Sequence, residues 1–368
     1  PRAGGRRPHP NRRPPLGGVQ RKGEIVIWKS VLATMALAAG LTLAGAGGAA
    51  AKTIELKLAS FMAPTQVQHT QVLEPWAKKI NEQTNGQVKV TIFAASALGK
   101  PQEHFDMAVK GIADISSPIL SYSPGRFKLS SVLELPFMMT TSEAISAALW
   151  QIYEKYCQDE FKDVKVLWLF QHGSSQLFTV KKPVKTLADL DGMKIRCTNP
   201  LVNKSITMMG ASPVFMPVPE VYTALERGVL DGTTISYEGL VAFKQAEVVK
   251  YATTLDMYAL NMAIVMNKKK WESLPEDVKK VFNDNSGLSM SRLAGKVFDQ
   301  AEAANLAVAK GKGVEVVQME PAELAKWKKQ SRTIWLEWAK EMDAQGLAGS
   351  AVLKEAVKLL GHEPLTEN

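Results

Sequence analysis

A chain of 368 residues, 46% hydrophobic and 22% charged, has ordinary globular composition and the length for two domains. Its formal net charge of +9 suggests a nucleic-acid partner, but residues 1–51 hold eight basic side chains against one acid, while the other 317 residues carry 37 basic and 35 acidic ones. The body of the chain is nearly neutral, which rules out nucleic acid as the reason for the charge.

Residues 1–24, rich in Pro, Arg and Gly, read as a disordered or over-extended leader. Residues 25–51 read as a signal peptide. Arg21, Lys22 and Lys29 supply its positive region, Val31 to Leu43 its apolar run, and Ala49-Ala50-Ala51 the small residues before cleavage. The apolar run is short and dissolves into Gly and Ala. That argues for cleavage after about Ala51, not a membrane anchor, and for a periplasmic mature protein.

From residue 52 the pattern is α/β. Ile54, Leu56 and Leu58 alternate with polar residues as a half-buried strand does, and Leu73, Trp76, Ala77 and Ile80 recur at helical spacing before Asn85-Gly86. Val88, Val90 and Ile92 alternate again. A helix with Phe105, Ala108 and Val109 precedes a third strand at Ala113-Asp114-Ile115. Strand, helix, strand, helix, strand predicts a parallel sheet with covering helices. A Pro-rich loop and a helix around Ile145–Tyr156 lead to Val164–Phe170, an apolar run suited to a strand buried on both faces. A second α/β unit begins after a change near Gln171–Gln176. Its centre is Leu187–Tyr237: a strand ending at Arg196, a helix, a Pro-bracketed strand, a helix closed by Gly228, and a strand from Asp231. Beyond it the pattern predicts a strand at Met262–Met266, one helix from Pro275 to about Ala309, a strand at Val314–Val317, and a helix from Pro321 to Gln345 carrying Trp327, Trp335 and Trp338.

Catalytic and metal motifs are missing from the sequence. His69, His104, His172 and His362 lie far apart, and neither HExxH nor CxxC occurs. His172 precedes Gly173-Ser174-Ser175, but this is no GxSxG elbow and no acid partner is evident. No cofactor motif, metal set or catalytic residue is therefore assigned. Cys157 and Cys197 leave a disulfide and two separate buried thiols both open, and a core of this size needs no staple. The informative residue is Arg196. A guanidinium is permanently charged, planar and suited to gripping a carboxylate in a fork, so Arg196 is the candidate anchor of a small-molecule site.

The pair of motifs D-L-x-G-x-K-x-R (Asp189–Arg196) and E-V-Y-x-A-L-x-x-G-x-x-D-G (Glu220–Gly232) resembles the extracytoplasmic solute-binding proteins of TRAP (tripartite ATP-independent periplasmic) transporters, the DctP-type family. The resemblance extends to Ala97–Ile115, Leu133–Met138 and Trp271–Phe282. It implies a two-domain periplasmic-binding-protein-like α/β cleft fold, each domain a mixed sheet with flanking helices, and a long helix touching both. By analogy domain I is 52–173 plus 262–300 and domain II is 174–261 plus 301–368. It also implies that Arg196 binds the carboxylate of an organic acid, which the protein delivers to large and small TRAP membrane subunits.

Two departures from the family pattern narrow the expected ligand. The segment Gly173-Ser174-Ser175-Gln176 lacks the further arginine that many members carry, and Ile235 stands where many have asparagine. A closed site for two carboxylates needs more positive charge than this, because an unpaired buried charge is costly. The expectation is a monocarboxylate with an apolar or aromatic body. Phe61 and Tyr237 would form walls, and Ser175, Gln176, Asn199 and Ser236 polar contacts. Glu238 would face an amino group if the ligand carries one. The alternatives are a C4-dicarboxylate or other small carboxylate, a sensor subunit for a membrane receptor, and a secreted hydrolase using Ser174 or Ser175.

Overall fold

The computed structural model describes residues 53–363; the expected leader and signal peptide lie outside them. The chain begins with β1 (Ile54–Ala59), α1 (Glu74–Gln83), β2 (Val88–Phe93), α2 (His104–Lys110), β3 (Ile115–Ser116), α3 (Ser142–Ile152) and β4 (Val164–Gln171). There follow β5 (Gln176–Thr179), β6 (Lys194–Cys197), α4 (Pro200–Met208), β7 (Ser212–Phe215), α5 (Val218–Glu226), β8 (Gly232–Ile235), α6 (Tyr237–Ala242) and β9 (Tyr251–Thr254). The last elements are β10 (Asn261–Asn267), α7 (Lys268–Ser273), α8 (Glu276–Asp284), α9 (Leu288–Gly311), β11 (Glu315–Gln318), α10 (Pro321–Ala344) and α11 (Gly349–Leu359).

The strands form two mixed sheets, one per lobe. The first has the order β2-β1-β3-β10-β4 and the second β11-β9-β5-β8-β6-β7. In the first, β1 runs parallel to β2 and β3, as strand–helix–strand alternation requires, while β10 is antiparallel to β3 and β4. In the second, β6 is parallel to β7 and β8, and β5 is antiparallel to β8 and β9. The chain leaves the first sheet after β4 and returns at β10. The two crossing segments bond to each other: Ser175 N donates to Tyr258 O (2.7 Å) and Met257 N to Ser175 O (3.0 Å). The change read near Gln171–Gln176 is this crossing.

β4 is an edge strand by pairing, yet its residues are almost all buried because α3 and α9 cover it. That is why it reads as a continuous apolar run. One apolar cluster joins Leu56, Leu58 and Ile115 of the first lobe to Phe178, Ile195 and Val221 of the second, so the lobes are closed on each other. Cys157 and Cys197 are free and buried in different clusters.

Two expectations need correction. The helix predicted from Pro275 to about Ala309 is broken after Asp284. Gly287 adopts φ 73° and ψ −152°, a conformation closed to side chains, and donates to Leu167 O (2.7 Å), while Asn285 O accepts from the Trp76 indole (2.9 Å). Residues 301–368 were expected with the second lobe, but Ile334, Trp335, Trp338 and Met342 of α10 and Val352 and Leu353 of α11 join the first-lobe cluster around Leu133 and Leu149. The apolar face of α10 is divided: Trp327 packs edge-on to Phe137 and donates to Ser205 Oγ of α4 (3.2 Å), whereas Trp335 donates to Pro136 O (2.8 Å).

Candidate functional site

Arg196 sits on β6 between Val214 of β7 and Thr233 of β8. It is only 2% exposed. Its Nε donates to Met216 O (2.9 Å), Nη1 donates to Thr234 O (3.1 Å), and Tyr122 Oη lies 3.5 Å from Nη2. Tyr122 belongs to the other lobe, and its hydroxyl also accepts from Val218 N (3.2 Å) at the start of α5. All these partners are neutral. A buried guanidinium with five N–H donors therefore keeps free donor capacity and, among the described residues, an uncompensated charge.

A cavity of about 40 Å³ opens beside it. Phe61, Met62, Ile119, Ile235, Leu260 and Met262 give it apolar walls from both lobes. His172, Tyr258 and Thr234 also line it, but their polar atoms are already engaged. His172 Nδ1 donates to Gly173 O (2.6 Å) and Nε2 accepts from Leu260 N (3.2 Å), so the ring is neutral and ties the two crossing segments together. Burial lowers the pKa of this imidazole to about 4, with the Arg196 charge acting in the same direction. Tyr258 Oη and Thr234 Oγ1 are 2.8 Å apart, and Thr234 Oγ1 donates to Arg196 O (3.1 Å).

The far wall is α6. Ser236 caps it, its Oγ accepting from Gly239 N (3.1 Å), and Ser236, Glu238 and Gly239 reach the cavity. The helix is held from outside by Glu302 of α9, whose two oxygens accept from Tyr237 N (2.8 Å) and Glu238 N (3.0 Å). One turn earlier, Asp299 accepts from Ser142 N (2.7 Å) and Glu143 N (3.0 Å) of α3. The same face of α9 thus caps a helix in each lobe.

Burial pushes four carboxyls upward: Glu134 and Glu238 to about 8, Glu302 to about 7, and Glu160 in the same direction. The folded form of each holds its proton at a pH where the unfolded chain has released it. Each therefore favours folding least above its folded value, and stability rises as pH falls toward 4.5. His172 and His104 act the other way, their values lowered by burial and opposing folding below about 6.5. Four carboxyls against two imidazoles, which act only below about 6.5, make the ligand-free protein melt higher at pH 6 than at pH 8, with Glu134→Gln flattening the slope. A melting temperature that is level or rises with pH in differential scanning calorimetry would contradict this.

Of the residues expected at the site, Arg196, Ser175, Ser236 and Phe61 line the cavity. Three expected contacts lie elsewhere. Asn199 is the N-cap of α4, its Oδ1 accepting from Val202 N (2.9 Å) while its Nδ2 donates to Glu134 (2.7 Å). Gln176 accepts from Leu255 N (2.7 Å) and donates to Asp256 (2.7 Å), bracing one crossing. Tyr237 points away from the cavity and packs edge-on against Phe178. Tyr122, Tyr258, Thr198 and Thr234 line the cavity without having been expected there. Tyr122 ends a short 3₁₀ turn and Tyr258 lies in an irregular segment, and neither has a periodicity to mark it. Among the described residues, no set of three His, Cys, Asp or Glu is placed to hold a metal, and no helix is long and apolar enough to cross a membrane.

Residues 58–341 match the DctP family, described as bacterial extracellular solute-binding protein, family 7. The chain belongs to the DctP family. Among similar solved structures is a marine-metagenome TRAP solute-binding protein described as specific for aromatic acid ligands and solved with metahydroxyphenylacetate. It is 34% identical, covers 84% of this chain and 98% of that one, and has a TM-score of 0.81. A TRAP solute-binding protein from Rhodoferax ferrireducens T118, solved with copurified benzoate, is 32% identical over the same shares with the same TM-score. The C4-dicarboxylate-binding periplasmic protein DctP of Rhodobacter capsulatus is 25% identical over 88% of this chain and 98% of its own length. DctP-type proteins of TRAP transporters are periplasmic, hold small carboxylates and work with membrane subunits, and the two mixed sheets found here are their fold.

Proposed function

We propose that this DctP-type protein captures an aromatic, or similarly apolar, monocarboxylate between its two lobes and hands it to the membrane subunits of a TRAP transporter. One observation carries the reading: among the described residues, a single buried guanidinium without an acidic partner faces a small cavity whose other walls are mostly apolar. One carboxylate neutralises that charge, whereas a second would enter the closed site unpaired. The aromatic acids held by the two solved relatives support the same chemistry. Both nitrogens of His172 are committed to the backbone, and neither the Ser174 nor the Ser175 hydroxyl is hydrogen-bonded to a base among the described residues, which supports binding over hydrolysis. In this reading the lobes divide where the chain leaves each sheet, near residues 173 and 261, and the mature protein begins close to residue 52.

Thermal-shift titration with benzoate, 3-hydroxyphenylacetate, mandelate, succinate and glucuronate tests the ligand class. A ligand at a hundredfold excess over its Kd adds about 2.7 kcal/mol to stability, a shift of several degrees. The aromatic acids are expected to shift the transition and succinate to leave it in place. A shift with succinate alone would turn the reading toward the dicarboxylate alternative. Small-angle scattering is expected to show a smaller radius of gyration with benzoate than without, since closure is driven by contacts made only in the closed state. Superimposable curves would count against a closing cleft.

A further inference from the structure

The polar side chains around the cavity are not equivalent. Tyr122, His172, Thr234, Ser236 and Tyr258 all hold hydrogen bonds inside the chain. Glu238 differs. Its residue is 5% exposed and lines the cavity, yet its carboxyl makes no hydrogen bond among the described residues; only its backbone N–H is used, by Glu302. A buried carboxyl without a partner is costly, and it is tolerated where a ligand completes it.

We propose that Glu238 is a specificity-determining residue whose carboxyl hydrogen-bonds a neutral hydroxyl on the body of the ligand, so that the site prefers hydroxylated aromatic monocarboxylates over unsubstituted ones. The proposal deepens the aromatic-acid reading and rests on it.

The choice of a hydroxyl follows from the charges around the cavity. Arg196 is the cation, and the ligand carboxylate neutralises it. An ionised Glu238 would then leave a net negative charge in a closed, largely apolar space, next to a second carboxyl at Glu302. Burial first, and Glu302 second, push Glu238 upward to about 8, so at neutral pH it carries a proton. A protonated carboxyl both donates and accepts, as does a hydroxyl, so each can satisfy the other. A ligand ammonium would require the ionised form, and a second ligand carboxylate would add the charge that the site excludes. Glu302 also holds the Glu238 backbone N–H at 3.0 Å, which fixes the helix turn from which the carboxyl projects.

Calorimetric titration of the full chain with benzoate, 3-hydroxybenzoate, 4-hydroxybenzoate and phenylalanine tests this. At least one hydroxybenzoate is expected to bind about tenfold or more tightly than benzoate, because a site built to bond a hydroxyl is left unpaired by its absence. Glu238→Leu is expected to bring that ratio to within about twofold, and Glu238→Gln, a neutral donor and acceptor of similar shape, to retain most of the preference. Melting curves of both variants establish that they fold, and if the leucine variant does not, the glutamine variant and Glu238→Ser carry the comparison. Equal affinity for benzoate and both hydroxybenzoates in the unaltered protein, an unchanged ratio in Glu238→Leu, or loss of the preference in Glu238→Gln would overturn the proposal. Tighter binding of phenylalanine than of any hydroxybenzoate would overturn it in favour of an ionised Glu238 facing an ammonium. If none of the aromatic acids binds, the aromatic-acid reading itself fails, a result distinct from aromatic acids binding without regard to Glu238.

Discussion

Replacing Arg196 by alanine is expected to weaken aromatic-carboxylate binding by about two orders of magnitude or more. A charge-assisted hydrogen bond is worth about 1.5–3 kcal/mol net, and stranding one member of a buried ion pair costs about 3–5 kcal/mol, where 1.36 kcal/mol is a factor of ten. The larger range applies because, among the described residues, the cavity holds no second cation to receive the ligand. Folding should suffer much less than binding. In the empty protein the guanidinium is a buried charge bonded only to neutral oxygens, so its removal relieves a desolvation cost while leaving Met216 O and Thr234 O unpaired. Arg196→Lys should also bind poorly: an ammonium cannot reach Met216 O, Thr234 O and the ligand together in the planar geometry the fork provides. Isothermal titration with benzoate reads the result, and a Kd within threefold of the unaltered protein would remove Arg196 from the anchor role.

Much of the frame was legible because it rests on local rules. Alternation and helical spacing predicted β1, α1, β2 and the succession around β6, and Pro and Gly marked their ends. Arg196 stood out for the same reason, as one cation closing a short strand inside a recognisable pair of motifs. What stayed hidden depends on which distant segments meet. Tyr122 reaches Arg196 from 74 positions away, and Tyr258 meets Thr234 across 24. Nothing in either neighbourhood announces the encounter. Asn199 was misread despite a local signal, since Asn followed by Pro is an N-cap with Pro at the first helical position, and the side chain is spent on that cap. For Gln176 no such signal existed, because its partners at Leu255 and Asp256 come from the other crossing segment. Tyr237 was misplaced because a helix begins at Ser236 where a continued strand would have kept alternating, and helical geometry turns residue 237 outward and 238 toward the cavity.

Glu302→Ala is expected to impair both folding and binding, by about 1–3 kcal/mol of stability and about tenfold or more in ligand affinity. The two backbone N–H groups at the start of α6 have no intrahelical partners, and Glu302 supplies them. Without it they are left buried and unpaired, and the helix that brings Ser236 and Glu238 to the cavity loses its tie to α9. Glycine 173 belongs to the same device. A Cβ at that position would overlap the Glu302 side chain, whose carboxylate is pinned at both oxygens and has no freedom to step aside. Gly173→Ala should therefore reproduce a large part of the Glu302→Ala defect, although residue 173 lies on the crossing segment and not on α6. In the doubly substituted protein the alanine at 173 no longer meets a carboxylate, so the two losses should add to less than their sum, by about 0.5–3 kcal/mol of coupling. Denaturant unfolding of the two single variants and the double one measures that coupling. Strict additivity would mean that Gly173 and Glu302 act independently, and that α6 is not positioned through the contact between the crossing segment and α9.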